Sequence, residues 1–279
     1  IGNQLFQYAL GRHLALKNNT ELKLDISGLD KANKVGDIYR PFDLDSFTIK
    51  ATIANNDEVS KLKYPYGLPS KAWRWFSFKI LKQKNLVFDP DVLKWSDDIY
   101  LDGYWQSPKY FDDIRETLLG ELVFNRTLSA SAQDYLKKIE TNNSIALHVR
   151  RGDYIKNPTV LKKFGICSNN YYTKAVEYIS KNVTNPTFFV FSDDIEWVKE
   201  NIQLPDSTTY VKGKDMTAVE DLVLMSKCQH NIIANSSFSW WSAWLNNHSN
   251  KIVIAPTPWF DTIEYDKDLI PKSWIQIQK

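Results

Sequence analysis

From about residue 144 to residue 255, short β-rich apolar runs alternate with stretches of helical pattern, a rhythm that few folds accommodate. The runs are Ile145 to Val149, Thr187 to Phe191, Thr208 to Val211, Asn231 to Ala234 and Lys251 to Ala255. Between them the spacing predicts helices near Asn170 to Lys181, Ile195 to Ile202, Thr217 to Cys228 and Ser239 to Asn247. Apolar residues fall three and four apart in Ala175, Tyr178 and Ile179 and in Leu222 and Met225. Strands joined through helices of this length need crossover connections. A parallel, doubly wound sheet with helices on both faces is therefore expected.

The amino-terminal half is less regular. A helix is predicted from about Asn3 to Lys17, then a strand at Leu22 to Ile26, and an irregular region through Pro41 to Asp45. An aromatic helical segment, Trp73 to Ile80, a strand at Ile99 to Asp102, and helices near Lys109 to Leu119 and Ala130 to Ile139 complete it. The polar run Thr141-Asn142-Asn143-Ser144 marks the expected boundary between two α/β domains, 1–142 and 143–279. The chain enters its first helix at once, so a strand upstream of Ile1 is also expected.

Every polar cluster of the second half follows a predicted strand. His148-Val149-Arg150-Arg151-Gly152-Asp153 ends the first, Ser192-Asp193-Asp194 the second, Lys212-Gly213-Lys214-Asp215 the third and Asn235-Ser236-Ser237-Phe238-Ser239 the fourth. Open α/β sheets bind ligands at that edge. A guanidinium is a planar fork of donors with a permanent charge, so adjacent arginines at a strand end suit a phosphate. Asn235 to Ser239 open a helix, where free N–H groups and hydroxyls hold an anion or simply cap the helix. Asp193 and Asp194 suit a ribose or purine edge, or an N-cap. His148 reads as a core histidine or a ligand contact, and Trp240, Trp241 and Trp244 read as packing, with Phe238 the better ligand-facing aromatic.

Composition narrows the partners. With 35 basic and 33 acidic residues the net charge is +2, and the basic residues are spread, which disfavours nucleic acid. Cys167 and Cys228 form neither a disulfide framework nor a metal set. Residues 1–279 carry neither a signal-peptide pattern nor a run of about 18 apolar residues of the kind that spans a membrane. A cytoplasmic location is expected, with peripheral association at the inner face of the membrane left open. The Gly-rich phosphate-binding fingerprints are absent. Gly2-Asn3 instead offers a short turn before a helix, and a nucleotide diphosphate between two such edges suits a sugar-nucleotide transferase.

Four blocks, Gly2-Asn3-Gln4-Leu5-Phe6-Gln7-Tyr8-Ala9, His148 to Tyr154, Phe191-Ser192-Asp193-Asp194 with Trp197, and Ala234 to Trp241, resemble those of inverting α-1,2-fucosyltransferases of glycosyltransferase family 11. The resemblance implies a GT-B-like fold, two facing Rossmann-like domains with a cleft between them, the first on the acceptor side and the second binding GDP-L-fucose. It implies a galactose-terminated glycan as acceptor. It further implies that Arg150 meets the β-phosphate with Arg151 beside it, that His148 and Asp193 or Asp194 contact guanine or ribose, and that Ser236 to Ser239 and Gly2-Asn3 contact the diphosphate. No metal or other cofactor is expected, because the arginines neutralise departing GDP. The competing carboxylate pairs for a metal are Asp43-Leu44-Asp45 and Asp89-Pro90-Asp91. Asp153 is the candidate general base or the orienting partner of an arginine, with Asp25 and Asp102 as weaker candidates. A transferase for another GDP-sugar, or a non-catalytic carbohydrate- or nucleotide-binding protein, stays open.

Overall fold

The computed structural model describes residues 1–29, 41–63, 88–261 and 267–279. Two compact units form, one from Ile1, Asn3–Arg126 and Lys267–Leu269, the other from Gly2, Thr127–Asp266 and Ile270–Lys279.

In the first unit, α1 (Gly2–Asn18) leads to the parallel pair β1 (Lys23–Leu24) and β2 (Thr52–Ile53), then to α2 (Asn56–Lys63) and, after several 3₁₀ turns, α3 (Arg115–Glu121). Leu5, Phe6, Ala9, Leu10 and Leu14 recur along α1 at three- and four-residue spacing and are buried, which fixes its inner face. The helix stops at Asn19, whose left-handed backbone (φ 52°) returns its N–H to the carbonyls of Ala15 and Leu16. A polar knot lies inside: the Glu121 carboxylate accepts the Tyr8 hydroxyl and, at 2.9 and 3.0 Å, Arg12 Nε. The Tyr8 oxygen accepts the Lys50 N–H at 3.0 Å, so the buried hydroxyl is matched on both sides. The expected strand at Ile99 to Asp102 does not form; Tyr100 sends its hydroxyl to Asp25 at 2.6 Å, and no ladder reaches the segment among the described residues. The expected helix Trp73 to Ile80 lies outside the described residues.

The second unit runs α4 (Ala130–Glu140), β3 (Asn143–Val149), α5 (Gly152–Lys156), α6 (Pro158–Phe164), α7 (Asn169–Asn182), β4 (Pro186–Ser192) and α8 (Ile195–Asn201). It continues through β5 (Thr209–Tyr210), α9 (Ala218–Lys227), β6 (His230–Ile232), α10 (Ser237–Leu245), β7 (Val253–Thr257) and β8 (Ile275–Gln278). The six strands are parallel in the order β5-β4-β3-β6-β7-β8. Taken along the chain this is third, second, first, fourth, fifth, sixth, the order of a dinucleotide-binding sheet, and its direction of growth reverses between β3 and β6.

Alternation along the strands builds both faces. Ile145, Leu147 and Val149 of β3 meet Phe188 and Val190 of β4, Tyr171, Tyr172 and Ile179 of α7 and Val198 of α8 on one face. Ala146, Phe189 and Phe191 meet Ala132 and Ile139 of α4 and Leu224 and Met225 of α9 on the other. Each such large apolar side chain, fully buried, contributes about 1.5–3 kcal/mol relative to exposure. The packing of α4 under this sheet is why the units part at Arg126 and Thr127, earlier than the expected 142/143. Glu220 fastens it further, accepting the Ser129 N–H at the head of α4 while completing a capping box with Thr217 at the head of α9.

Candidate functional site

The reversal between β3 and β6 leaves a crevice at the carboxyl end of the sheet, and the chain sends α5 from one strand and α10 from the other. Arg150, Arg151 and the Ser236–Ser237 turn are thereby gathered at that edge. Ser236 has a β-region backbone and its side chain makes no capping bond, so the N–H groups opening α10 point to the edge without an internal cap. Phe238 lies partly buried behind them, its ring centroid 5.6 Å from that of His148.

Both arginines are paired. Arg150 Nη1 lies 3.1 Å from Asp193 Oδ2, and Arg151 Nε lies 3.4 Å from Asp194 Oδ2. Asp193 also accepts the N–H groups of Arg151 (3.0 Å) and Gly152 (3.1 Å). A Cβ at residue 152 would stand 2.7 Å from Asp193 Oδ2, so only glycine admits this approach. Asp194 caps α8, accepting the Trp197 N–H at 3.3 Å, and its own N–H is held by Ser192 Oγ at 2.9 Å. The N-cap role weighed for Asp194 is thus present, alongside its pairing with Arg151.

His148, on β3, is 5% exposed, and its Nδ1 has no hydrogen-bond partner among the described residues. Burial, with the charge of Arg150 adding, drives its pKa down to about 3, so the ring is neutral near pH 7. A pocket of about 450 Å³ opens over the ends of β4 and β5, lined by Ser192, Asp193, Asp194, Val211, Lys212, Gly213, Thr217 and Asp221. Asp221 escaped the sequence reading. Burial raises its carboxyl to about 7, with the neighbouring Glu220 charge adding. The signal was available: it follows the Thr217 to Glu220 capping box directly, on the first turn of the helix after the third strand.

Other expected residues lie elsewhere or do other work. The Asn235 carboxamide donates to the carbonyls of Phe164 (2.8 Å), Gly165 (3.2 Å) and Trp259 (3.3 Å), tying loops beneath the crevice. The Asn235 carbonyl accepts the Tyr154 hydroxyl at 3.1 Å. Ser239 is fully buried, and its hydroxyl bonds the carbonyls of Ala234 and Ser236. Gly2 belongs to the second unit, where an added Cβ would stand 2.5 Å from the Ser237 backbone, whereas Asn3 belongs to the first and accepts from Gln106 at 2.9 Å. Asp153 lies on α5, its side chain outside the described set. Trp240, Trp241 and Trp244 are buried and pack on one another, as expected.

In the first unit, burial works to raise the Asp25 carboxyl, but bonds from Ser27, Tyr100 and Lys63 outweigh it and hold the group well below the usual carboxylate range. A carboxylate so held is a weak proton acceptor. The candidate metal pairs have internal partners: Asp45 meets Arg126 at 2.7 Å, Asp89 caps a 3₁₀ turn and Asp91 meets Lys94 at 2.8 Å. Among the described residues no three His, Cys, Asp or Glu side chains converge as a metal-binding group, and no helix is long and apolar enough to cross a membrane.

The profile of the family described as glycosyl transferase family 11 matches residues 46–278. The chain is 36% identical over 295 aligned residues to an alpha-1,2-colitosyltransferase of Escherichia coli, covering 100% of this chain and 96% of that protein. It is 27% identical over 154 residues to galactoside 2-alpha-L-fucosyltransferase SEC1 of Bos taurus, covering 53% of this chain and 42% of that one. Among solved structures, NodZ alpha-1,6-fucosyltransferase soaked with GDP-fucose superimposes with a TM-score of 0.53 at 13% identity, over 88% of this chain and 89% of that one. That last likeness is one of fold, and the fold is the α/β, GT-B class expected from the sequence.

Proposed function

Because the chain belongs to glycosyl transferase family 11, we propose that it transfers L-fucose from GDP-L-fucose to the 2-hydroxyl of a terminal galactoside, with inversion and without a metal ion. The observation that carries this reading is the convergence of Arg150 and the uncapped start of α10 at the reversal point of the sheet, beside a pocket over β4 and β5. The diphosphate fits the first and the nucleoside the second. Guanine presents adjacent ring and amino N–H groups, and Asp221, poised to ionise near neutral pH, is the acceptor suited to them.

In the step itself the acceptor hydroxyl attacks the anomeric carbon and the bond to the β-phosphate oxygen breaks, its electron pair leaving with GDP. The hydroxyl proton passes to a base. Charge grows on the departing phosphate, and a guanidinium fixed there stabilises the transition state more than the ground state. Asp153 on α5 is the base proposed; Asp25, engaged by Lys63 and Tyr100, is set aside. Metal independence is supported by the Arg150 guanidinium, which at hydrogen-bonding range supplies the local positive charge a divalent ion would otherwise bring.

A second reading is favoured by the colitosyltransferase relative, since colitose is L-fucose without its 3-hydroxyl. A donor panel of GDP-fucose, GDP-colitose, GDP-mannose and UDP-galactose, run with galactoside acceptors in excess EDTA, tests both. Transfer from GDP-fucose with an α-1,2 product is expected. Preference for GDP-colitose would establish the second reading, and activity restored only by Mn²⁺ would overturn metal independence.

A further inference from the structure

We propose that Trp197 is a positioning residue for the donor phosphate site, acting through Arg151; the proposal rests on the transferase reading above. The guanidinium carbon of Arg151 lies 3.6 Å from the centroid of the Trp197 ring, a stacking contact. Arg151 Nε reaches Asp194 Oδ2, and Asp194 Oδ1 accepts the backbone N–H of Trp197. The guanidinium is therefore held between the Trp197 ring and the Asp194 carboxylate, and the helix cap made by Asp194 on the Trp197 backbone closes a triangle at the head of α8. Within it the Arg151 side chain is 16% exposed, against 34% for that of Arg150.

The two neighbouring arginines then do different work. With its guanidinium so held, Arg151 acts through its backbone: its N–H meets Asp193 Oδ1 and that of Gly152 meets Oδ2, the oxygen that also holds Arg150 Nη1. The line of support runs from the Trp197 ring to the Arg151 turn, then to Asp193, and ends at the Arg150 fork. A lysine in place of Arg151 keeps the charge but loses the flat stack. Trp197 also packs against the apolar core beneath α8, so plain packing is the alternative that an experiment must separate.

The test measures kcat, the donor KM, GDP affinity and melting temperature for Trp197→Leu, Trp197→Phe, Arg151→Leu and the Trp197→Leu/Arg151→Leu double variant of the whole chain. Trp197→Leu is expected to lower kcat about tenfold, the scale of one partly desolvated cation–π contact. Trp197→Phe, which keeps an aromatic face, is expected to recover most of that loss. The double variant is expected to be no worse than Arg151→Leu alone, because the two act as one unit. Additive losses in the double variant, or losses for Leu and Phe alike that follow the melting temperature, would overturn the proposal. Should the wild-type chain turn over no GDP-sugar, the transferase reading fails, and the same coupling is then read in GDP affinity, where additivity again overturns the positioning role.

Discussion

In the second unit six parallel strands carry the framework, and the functional groups sit where the strands end. In the first, the described residues pair Lys23–Leu24 with Thr52–Ile53 and bridge Phe47 to Phe124, and side chains supply further ties: Tyr8 and Arg12 to Glu121, Lys63 and Tyr100 to Asp25. A backbone ladder fixes direction and register for every residue at its edge, whereas a side-chain knot fixes only its own members. The difference teaches that the second unit can lose a site residue without losing its shape, while the first depends on individual polar contacts.

The strongest way to sharpen this contrast is Arg150→Ala. Removing a donor aimed at developing charge costs about 2.7–4 kcal/mol of transition-state stabilisation, so turnover should fall on the order of a hundredfold or more with the fold intact. Arg150→Lys should fail as well, since a point charge lacks the fork. Steady-state kinetics beside circular dichroism checks both. If Arg150→Ala unfolded the chain, the ladder would not be the self-sufficient frame described here.

Glu121→Gln probes the other side. It leaves the Arg12 charge without its partner in a buried setting, a loss of about 3 kcal/mol by comparison with other broken buried pairs. Denaturant unfolding should show the first unit weakened while GDP binding by the second persists. Equal loss of both would erase the comparison.

Asp221→Asn should weaken GDP binding about tenfold or more, within the range for losing a bidentate base contact. In the wild type, affinity should strengthen as pH rises through about 7, where the carboxyl ionises, and this rise should vanish in the variant. Stability runs the opposite way. The folded pKa is raised above the unfolded one, so the contribution of the protonated acid is complete below about pH 4 and is lost as pH climbs through 7. Asn should therefore raise the melting temperature more at pH 8 than at pH 5, as differential scanning fluorimetry can read. The smallest effect is expected of Gly152→Ala. Its methyl group would press on Asp193 and shift the Arg150 partner, lowering kcat several-fold at nearly constant melting temperature.

The legibility of the two units in sequence follows the same divide. Strands β3 to β7 lay within a residue or two of their apolar runs, because a strand covered on both faces must be apolar along its length. Helices α5 and α6 were not expected, being short and lodged in what read as loop, nor was β8, an edge strand alternating Ile275, Gln276, Ile277 and Gln278 at the far side of the sheet. Ile99 to Asp102 carried a strand-like pattern with no ladder to join among the described residues, since alternation alone does not name a neighbour. At the site, position along the sheet edge was readable for Arg150, Asp193 and Ser236. Orientation was not: nothing in the letters separates Asn235, whose amide is spent on three carbonyls, from a ligand contact.

Pairing each arginine with its own aspartate has a kinetic consequence. Seen from beyond about 10 Å, a Debye length at 0.1 M salt, the two charge pairs cancel, and no long-range field from them draws a nucleotide in. These two pairs should therefore add no steering to donor arrival and no ionic-strength dependence of their own. The guanidinium exerts its pull only within hydrogen-bonding reach, where the phosphate and Asp193 compete for the same fork.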